Sequence, residues 1–266
     1  MLDGKLQSAE ADERIYHESL VLPALLHHPK PRRIFICGGG EGATAREALR
    51  HVDVEEVVMA DIDHVVCDFC RDNLPANKAA FNDSRLKLKI GDAKAALESE
   101  PGTFDVIIGD LADPIEGGPS YWLYTQSFYS NVIRHKLSSD GLFVNQSGPG
   151  GFLTYHQVFA PINRTMREVF PKVVPYHAHV PSFADVWSWC LAFSNDSLHR
   201  LLTAEELDEE ARHKLHGQCD FFDGHTFIAL TALNKKVRLG LESETTVLTE
   251  DNPRFIPGSG LQKKST

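Results

Sequence analysis

One stretch constrains the chain more than any other. Arg33-Ile34-Phe35-Ile36-Cys37 is a short apolar run that passes directly into Gly38-Gly39-Gly40-Glu41-Gly42-Ala43 and then into a helix-forming segment ending near His51. An apolar run without polar alternation reads as a strand buried on both faces, and glycines at its end permit a tight turn into the next helix. The unit recurs. Val57-Val58-Met59-Ala60 precedes a helix from about Asp63 to Asn73, and Leu86–Ile90 and Asp105-Val106-Ile107-Ile108-Gly109 are further strands. Thr125 to about Leu137 reads as helix before Leu142-Phe143-Val144-Asn145. Such alternation predicts a buried, mostly parallel sheet with right-handed crossovers and helices on both faces.

The two ends differ from this middle. Glu10, Asp12 and Glu13 favour the start of a helix that runs through Tyr16, Leu20, Leu22 and Leu25 until Pro29 and Pro31 stop it. After a helix from about Tyr155 to Phe170, Val173–Val180 and Trp187–Phe193 alternate more and are expected to pair antiparallel. An acidic helix follows from Ala204 to about Leu215, and from Asn252 through Pro253, Pro257, Gly258 and Gly260 the chain is a polar tail expected to be mobile. The organisation expected is a strand remnant and helix start over 1–18, one Rossmann-like α/β unit over 19–248, and the tail over 249–266.

Composition narrows the class. Of 266 residues, 42% are hydrophobic and 24% charged, as in an ordinary soluble enzyme. A net charge of −10 speaks against a nucleic-acid partner, whose affinity rests on clustered Lys and Arg. No apolar run reaches the ~18 residues of a membrane span, and the acidic start lacks the character of a secretory leader. Cys67 and Cys70 form a C-x-x-C pair in an apolar stretch, with neither a second pair nor His ligands at zinc spacing, so a packed helix face is expected. A reducing, cytoplasmic compartment follows from this cysteine usage.

Three strand ends carry the nucleoside signal. The glycine run fits G-x-G-x-x-G/A, and Gly38 and Gly40 are the positions where a ligand approaches the backbone. About twenty residues on, Asp61 ends the second strand, where a carboxylate accepts hydrogen bonds from ribose hydroxyls. Asp92, in Ile90-Gly91-Asp92-Ala93, ends the third strand and is placed to meet an adenine amino group. Strand-end acids that merely cap helices are the competing reading, and NAD and an S-adenosylmethionine-type nucleoside are not separated at this point.

The fourth strand runs into Gly109-Asp110-Leu111-Ala112-Asp113-Pro114-Ile115-Glu116-Gly117-Gly118-Pro119. Asp110, Asp113 and Glu116 stand in a non-helical loop at the carboxyl edge, where ligand crevices of open α/β sheets lie. Acids there suit a polycation; a divalent metal is the weaker reading, since no further ligands stand at an obvious spacing.

Asp110-Leu111-Ala112-Asp113-Pro114, the Gly-Gly-Gly-Glu-Gly turn and Ala9-Glu10-Ala11-Asp12-Glu13-Arg14-Ile15-Tyr16-His17-Glu18 together resemble the spermidine and spermine synthase family. The loop over 109–119, Leu123-Tyr124-Thr125-Gln126-Ser127-Phe128-Tyr129 and Thr249-Glu250-Asp251-Asn252-Pro253-Arg254-Phe255-Ile256 resemble its plant-type thermospermine synthases. The resemblance implies a class I methyltransferase-like fold and aminopropyl transfer from decarboxylated S-adenosylmethionine, a co-substrate, to a polyamine, with no metal or prosthetic group. It implies Asp110 as catalytic base and Asp113, Tyr16, Glu116 and Phe222 along the amine. Glu41 would hold the aminopropyl ammonium, Asp61 the ribose, Asp92 and Ala93 the adenine, and His17 the nucleoside. The motifs place no Lys or Arg beside Glu41 and Asp110 to receive a carboxylate.

Two departures bear on these expectations. Family members carry an extra β domain before the Leu2-Asp3-Gly4 segment, of which Leu2–Gln7 would be at most the last strand; that domain aids assembly, so a homodimer or homotetramer is expected only if the interface survives. Phe221-Phe222 aligns with a Tyr-Tyr pair of putrescine users, which favours a longer acceptor. A spermidine or spermine synthase, a methyltransferase and a non-catalytic paralogue that binds a partner remain the alternatives.

Overall fold

The computed structural model describes residue 1 and residues 6–195 and 200–256. The expected strand over Leu2–Gln7 falls mainly on residues outside this set, as do Pro257, Gly258 and Gly260 of the tail.

Helix α1 (Glu13–His27) leads into β1 (Arg33–Gly38), α2 (Ala43–Leu49), β2 (Glu56–Asp61) and α3 (His64–Asn73). A short α4 (Lys78–Phe81) precedes β3 (Leu86–Ile90), α5 (Ala93–Ser99) and β4 (Phe104–Asp110). Residues 126–136 form one irregular helical run, α6 (Gln126–Phe128), a π turn and α7 (Arg134–Lys136), before β5 (Leu137–Pro149). Then come α8 (Phe159–Arg167), β6 (Lys172–Val180), β7 (Asp185–Phe193), α9 (Ala204–Lys214), α10 (Gly224–Thr231) and α11 (Lys235–Ser243).

The strands form one seven-stranded sheet in the order β3-β2-β1-β4-β5-β7-β6. The first five are parallel, and β7 runs antiparallel between β5 and β6, as the alternation after residue 172 led one to expect. Because side chains alternate across a strand, Ile34 and Ile36 face one helical layer while Phe35 and Cys37 face the other. The first layer packs Leu20 and Leu25 of α1 with Ala45 of α2 and Phe227 of α10; the second packs Leu97 of α5, Phe159 of α8 and Val237 of α11. Cys67 and Cys70 lie buried and unoxidised on α3.

Two elements differ from the pattern reading. Strand β5 is longer than its apolar centre, because Leu137 pairs with Phe104 and Gln146 continues the antiparallel register opposite Trp189. Polar Ser138, Ser139, Asp140 and Gln146 hide that extension from a hydrophobic-run criterion. Residues 249–256 of the tail are packed against the 114–127 region: Tyr121 donates to the Thr249 carbonyl at 2.6 Å and the Ile256 N–H to the Pro114 carbonyl at 2.9 Å.

Helices α1 and α2 are tied by buried charges. Glu47 is fully buried and accepts from Arg14 (2.7 Å), Arg46 (2.9 Å) and Arg50 (2.5 Å). Arg46 also grips both oxygens of Glu13 at 2.8 Å, and Glu18 receives the backbone N–H groups of Asp220, Phe221 and Phe222 at 2.8–3.0 Å. Removing one partner from such a cluster strands the others in a poorly solvated site. Glu47→Ala is therefore expected to destabilise the fold by about 3–5 kcal/mol in urea titration; a change within about 0.5 kcal/mol, as for an ordinary surface site, would refute that role.

Candidate active site

The strand ends converge because β1 lies between β2 and β4 in parallel register, with Gly38 opposite Asp110 and Asp61 one strand away. Gly38 has φ +83°, and a Cβ there would lie 2.1 Å from the Asp110 carbonyl oxygen, so only glycine fits. The next residue, Gly39, donates its N–H to that same carbonyl at 3.1 Å. A Cβ on Gly40 would sit 2.7 Å from Asp61 Oδ2, and this close approach lets the Gly40 N–H reach that oxygen at 2.8 Å.

Asp110 has both oxygens engaged. Tyr16 donates to Oδ1 at 2.9 Å, and Thr44 Oγ1 to Oδ2 at 2.5 Å. Tyr16 comes from α1, 94 positions away, and its ring meets Phe183 and Trp189 edge-on at 5.9 and 5.6 Å. Burial, and after it the Asp110 charge, push the Tyr16 phenol well above its ordinary pKa, so it is a donor rather than a base. Three positions beyond Asp110, Asp113 Oδ1 faces Gln146 Nε2 at 3.3 Å. Gln146 is buried and also donates to the Leu111 carbonyl (2.8 Å) and to Tyr124 (2.6 Å), while its own oxygen accepts from Trp187 (3.2 Å).

His17 and Glu13 form a pair one helical turn apart. Glu13 Oε2 lies 2.7 Å from His17 Nδ1. Burial opposes charge on His17, but the Glu13 hydrogen bond and the fields of Glu41 and Asp110 outweigh it and raise its pKa above 6.5. Burial likewise opposes charge on Glu13, yet His17 and Arg46 hold its carboxyl down to about 2. Glu41, which accepts from Ser8 at 3.0 Å, and Asp61 are both shifted upward, in each case chiefly by burial.

The remaining expected residues are placed less centrally. Asp92 is exposed and caps α5 through the Ala95 N–H at 2.7 Å, with Ala93 buried behind it. Glu116 is exposed on the loop. Phe222 is buried in the apolar core, its ring 6.0 Å from Phe227 and its backbone N–H 2.8 Å from Glu18. Arg46 corrects the expectation that no arginine lies near Glu41. It lines, with Glu13, Glu41, Phe69 and Asn77, a cavity of about 440 Å³ that excludes Asp110, Asp61 and Asp113 from its wall. Glu13, Glu47 and Asn77 occupy its guanidinium. Pattern reading missed Thr44, Gln146 and Trp187 as site neighbours; a polar residue at the end of an otherwise apolar strand was the available signal for Gln146. Among the described residues, no group of three or more His, Cys, Asp or Glu is arranged to hold a metal, and no helix is long and apolar enough to cross a membrane.

Sheet order and glycine turn define a doubly wound α/β protein with a cluster of carboxylates at the carboxyl edge of its parallel strands. Comparison with known proteins then specifies the lineage. Residues 13–201 match the family model of the spermine/spermidine synthase domain. The chain is 50% identical over 261 residues to the thermospermine synthase ACAULIS5 of Arabidopsis thaliana, covering 98% of this chain and 76% of that protein. It is 41% identical over 264 residues to a polyamine aminopropyltransferase of Synechococcus, covering 96% and 84%. A spermidine synthase solved with the transition-state analogue AdoDATO superposes with TM-score 0.79 at 27% identity, over 88% of this chain and 78% of that one. The spermidine synthase of Thermotoga maritima gives 0.75 at 25%, over 88% and 77%. The chain belongs to the spermine/spermidine synthase family of polyamine aminopropyltransferases.

The Glu13–His17 pair has a pH signature. Since the folded His17 pKa is raised, its contribution to stability is complete below the unfolded value near 6.5 and is lost as pH rises through the folded value. For Glu13 the contribution is present above about 4.5 and is lost as pH falls towards 2. Replacing Glu13 by Gln removes the anion, so the His17 titration followed by NMR is expected to move to lower pH. An unmoved titration would show that Glu13 does not hold the charge.

Proposed function

We propose that the chain transfers the aminopropyl group of decarboxylated S-adenosylmethionine to spermidine, releasing thermospermine and methylthioadenosine. The observation that carries this reading is Asp110, held by two hydroxyl donors at the crevice that also gathers Asp113, Glu41 and Asp61. A crevice lined by acids suits a polycationic acceptor and a cationic sulfonium donor. Half-identity to a thermospermine synthase supports the choice of spermidine as acceptor.

In this reading the amine nitrogen attacks the propyl carbon next to sulfur in line with the C–S bond. The N–C bond forms as the C–S bond breaks, and its electron pair returns to a neutral thioether. A free primary amine has a pKa near 10.4 and a free carboxylate near 3.9, a gap of roughly 9 kcal/mol. A carboxylate does not strip the ammonium outright across that gap. The amine therefore attacks in its neutral form, its ammonium proton having passed to solvent, and Asp110 orients it and relays to solvent the proton that the new N–C bond makes surplus. Tyr16 and Thr44 fix the carboxylate for this, because alignment of two bound reactants supplies much of the acceleration.

Asp113 and Tyr16 bind the amine, with Glu116 further out on the same loop. Glu41 takes the aminopropyl ammonium, Asp61 the ribose hydroxyls, Asp92 and Ala93 the adenine, and His17 the nucleoside. Gly38 and Gly40 let it approach the backbone.

Asp110→Asn is expected to keep the fold and methylthioadenosine binding while kcat falls by about 10²–10⁴. Near-normal turnover would remove Asp110 from the chemistry.

The decisive experiment supplies purified protein with decarboxylated S-adenosylmethionine and each polyamine, identifies the products chromatographically, and measures donor affinity by calorimetry. Spermidine is expected to outcompete putrescine and to yield thermospermine. The donor lacking a carboxylate is expected to bind at least about tenfold tighter than S-adenosylmethionine, which needs only ~1.4 kcal/mol. Like charges about 4 Å apart at an effective dielectric near 20 repel by roughly 4 kcal/mol, and Arg46 is already occupied by Glu13 and Glu47. Better use of putrescine would reassign the acceptor, and a preference for the carboxylated donor would favour methyl transfer.

A further inference from the structure

The loop that carries Asp113 has almost no regular structure of its own between Asp110 and Tyr121. On its inner side Gln146 holds the Leu111 carbonyl and Tyr124 donates to the Ala112 carbonyl at 3.2 Å. Its outer side is held by residues 248–256. Leu248 is fully buried, takes the Gln126 N–H on its carbonyl at 2.8 Å and donates its own N–H to Thr165 of α8 at 2.9 Å. Tyr121 donates to the Thr249 carbonyl, Ser127 donates to Glu250, and the Phe255 ring lies 5.0 Å from that of Tyr121. The Ile256 N–H closes the contact on the Pro114 carbonyl at 2.9 Å, one residue past Asp113.

The Ile256 side chain and the Asp113 carboxylate both lie beside Gly148. A Cβ placed on Gly148 would lie 3.5 Å from Ile256 Cδ1 and 3.8 Å from Asp113 Oδ1. The methyl group and the acid therefore flank the same glycine, which has φ +74° and also packs closely against Val158.

We propose that Thr249–Ile256 is a strap that sets the position of the Asp113 loop, with Ile256 as an apolar wall of the amine channel and a determinant of acceptor binding. Segments with few buried contacts open locally at low cost, and a loop pinned at Pro114 and Tyr121 loses that freedom. A polyamine alternates ammonium groups with methylene runs. An acid flanked by an aliphatic wall matches that alternation, and exclusion of water by the wall strengthens the charge pairing. Among the described residues the strap's hydrogen bonds and ring contact to other segments go to Pro114, Tyr121 and Ser127, so its effect falls on the acceptor rather than the nucleoside.

The acceptor part of this proposal rests on the aminopropyltransferase reading, and the test separates the two. The full-length chain is compared with the double variant Phe255→Ala/Ile256→Ala and with Ile256→Val. Hydrogen exchange is read over 111–124 and over 33–42, with methylthioadenosine affinity and spermidine kinetics. In the double variant, exchange over 111–121 is expected to accelerate about tenfold or more while that over 33–42 is unchanged. KM for spermidine is expected to rise about fivefold or more with nucleoside affinity kept within about twofold, and Ile256→Val to behave like the parent. Unchanged exchange over 111–121 overturns the strap. Equal losses of spermidine and nucleoside binding overturn the acceptor role, since they report general loosening. If the parent turned over no polyamine, the functional reading would fall, while the exchange comparison would still decide the strap.

Discussion

The close approach of Gly38 to the backbone of Asp110 is the constraint on which the remaining geometry depends. With no Cβ at Gly38, the end of β1 lies directly against the end of β4, and Gly39 caps the Asp110 carbonyl. The chain then turns so that Gly40 meets Asp61 from the neighbouring strand and Thr44, in the first turn of α2, reaches the Asp110 carboxylate. A side chain at Gly38 would push β1 and β4 apart and misplace three strand ends together. One steric vacancy thus converts a parallel register into a site.

The fourth wall comes from α1, whose apolar side chains enter the core and whose first turns are tied to α2 by buried charges. Glu47 gathers Arg14, Arg46 and Arg50, Arg46 returns to Glu13, and Glu13 holds His17. A purely apolar helix face could slide by a turn at little cost, whereas buried ion pairs leave uncompensated charge when displaced. This registry delivers Tyr16 to Asp110 and sets His17 against Glu13, whose hydrogen bond, with the fields of Glu41 and Asp110, raises the imidazole's pKa against the opposing effect of burial. It also explains how carboxylates crowd one crevice. Glu13 is held by Arg46 and His17, while burial shifts the Glu41 and Asp61 carboxyls upward.

The surroundings of Asp113 are built differently. There the supports are an uncharged network, Gln146 with Tyr124 and Trp187, together with the segment that crosses the loop from outside. Parallel strands therefore position Asp61 and Asp110, while a loop held on two faces positions Asp113.

Much of this was legible in the sequence. Apolar runs separated by helical segments determined the parallel sheet, and the shift to alternation after residue 172 determined its antiparallel edge. The positions of Asp61 and Asp110 at strand ends followed from the same period, because strand ends are local features, whereas Asp92, expected to end the third strand, lies two residues beyond it and caps α5. The elements that were not legible have a common cause. Thr44 and Gln146 are ordinary polar residues until folding sets them against carboxylates 66 and 33 positions away. Phe222 carries no local mark that separates a channel wall from a core residue; the fold buries it beside Phe227, with its backbone N–H on Glu18 of α1. The tail is polar and proline-containing, so composition favours mobility, yet Tyr121 and Pro114 capture it. The sequence by itself determined which residues form strands and which acids end them, since hydrophobic periodicity acts over a few residues. Tertiary structure alone decided which side chains meet, because contacts across the sheet depend on registers and ion pairs between segments far apart in the chain.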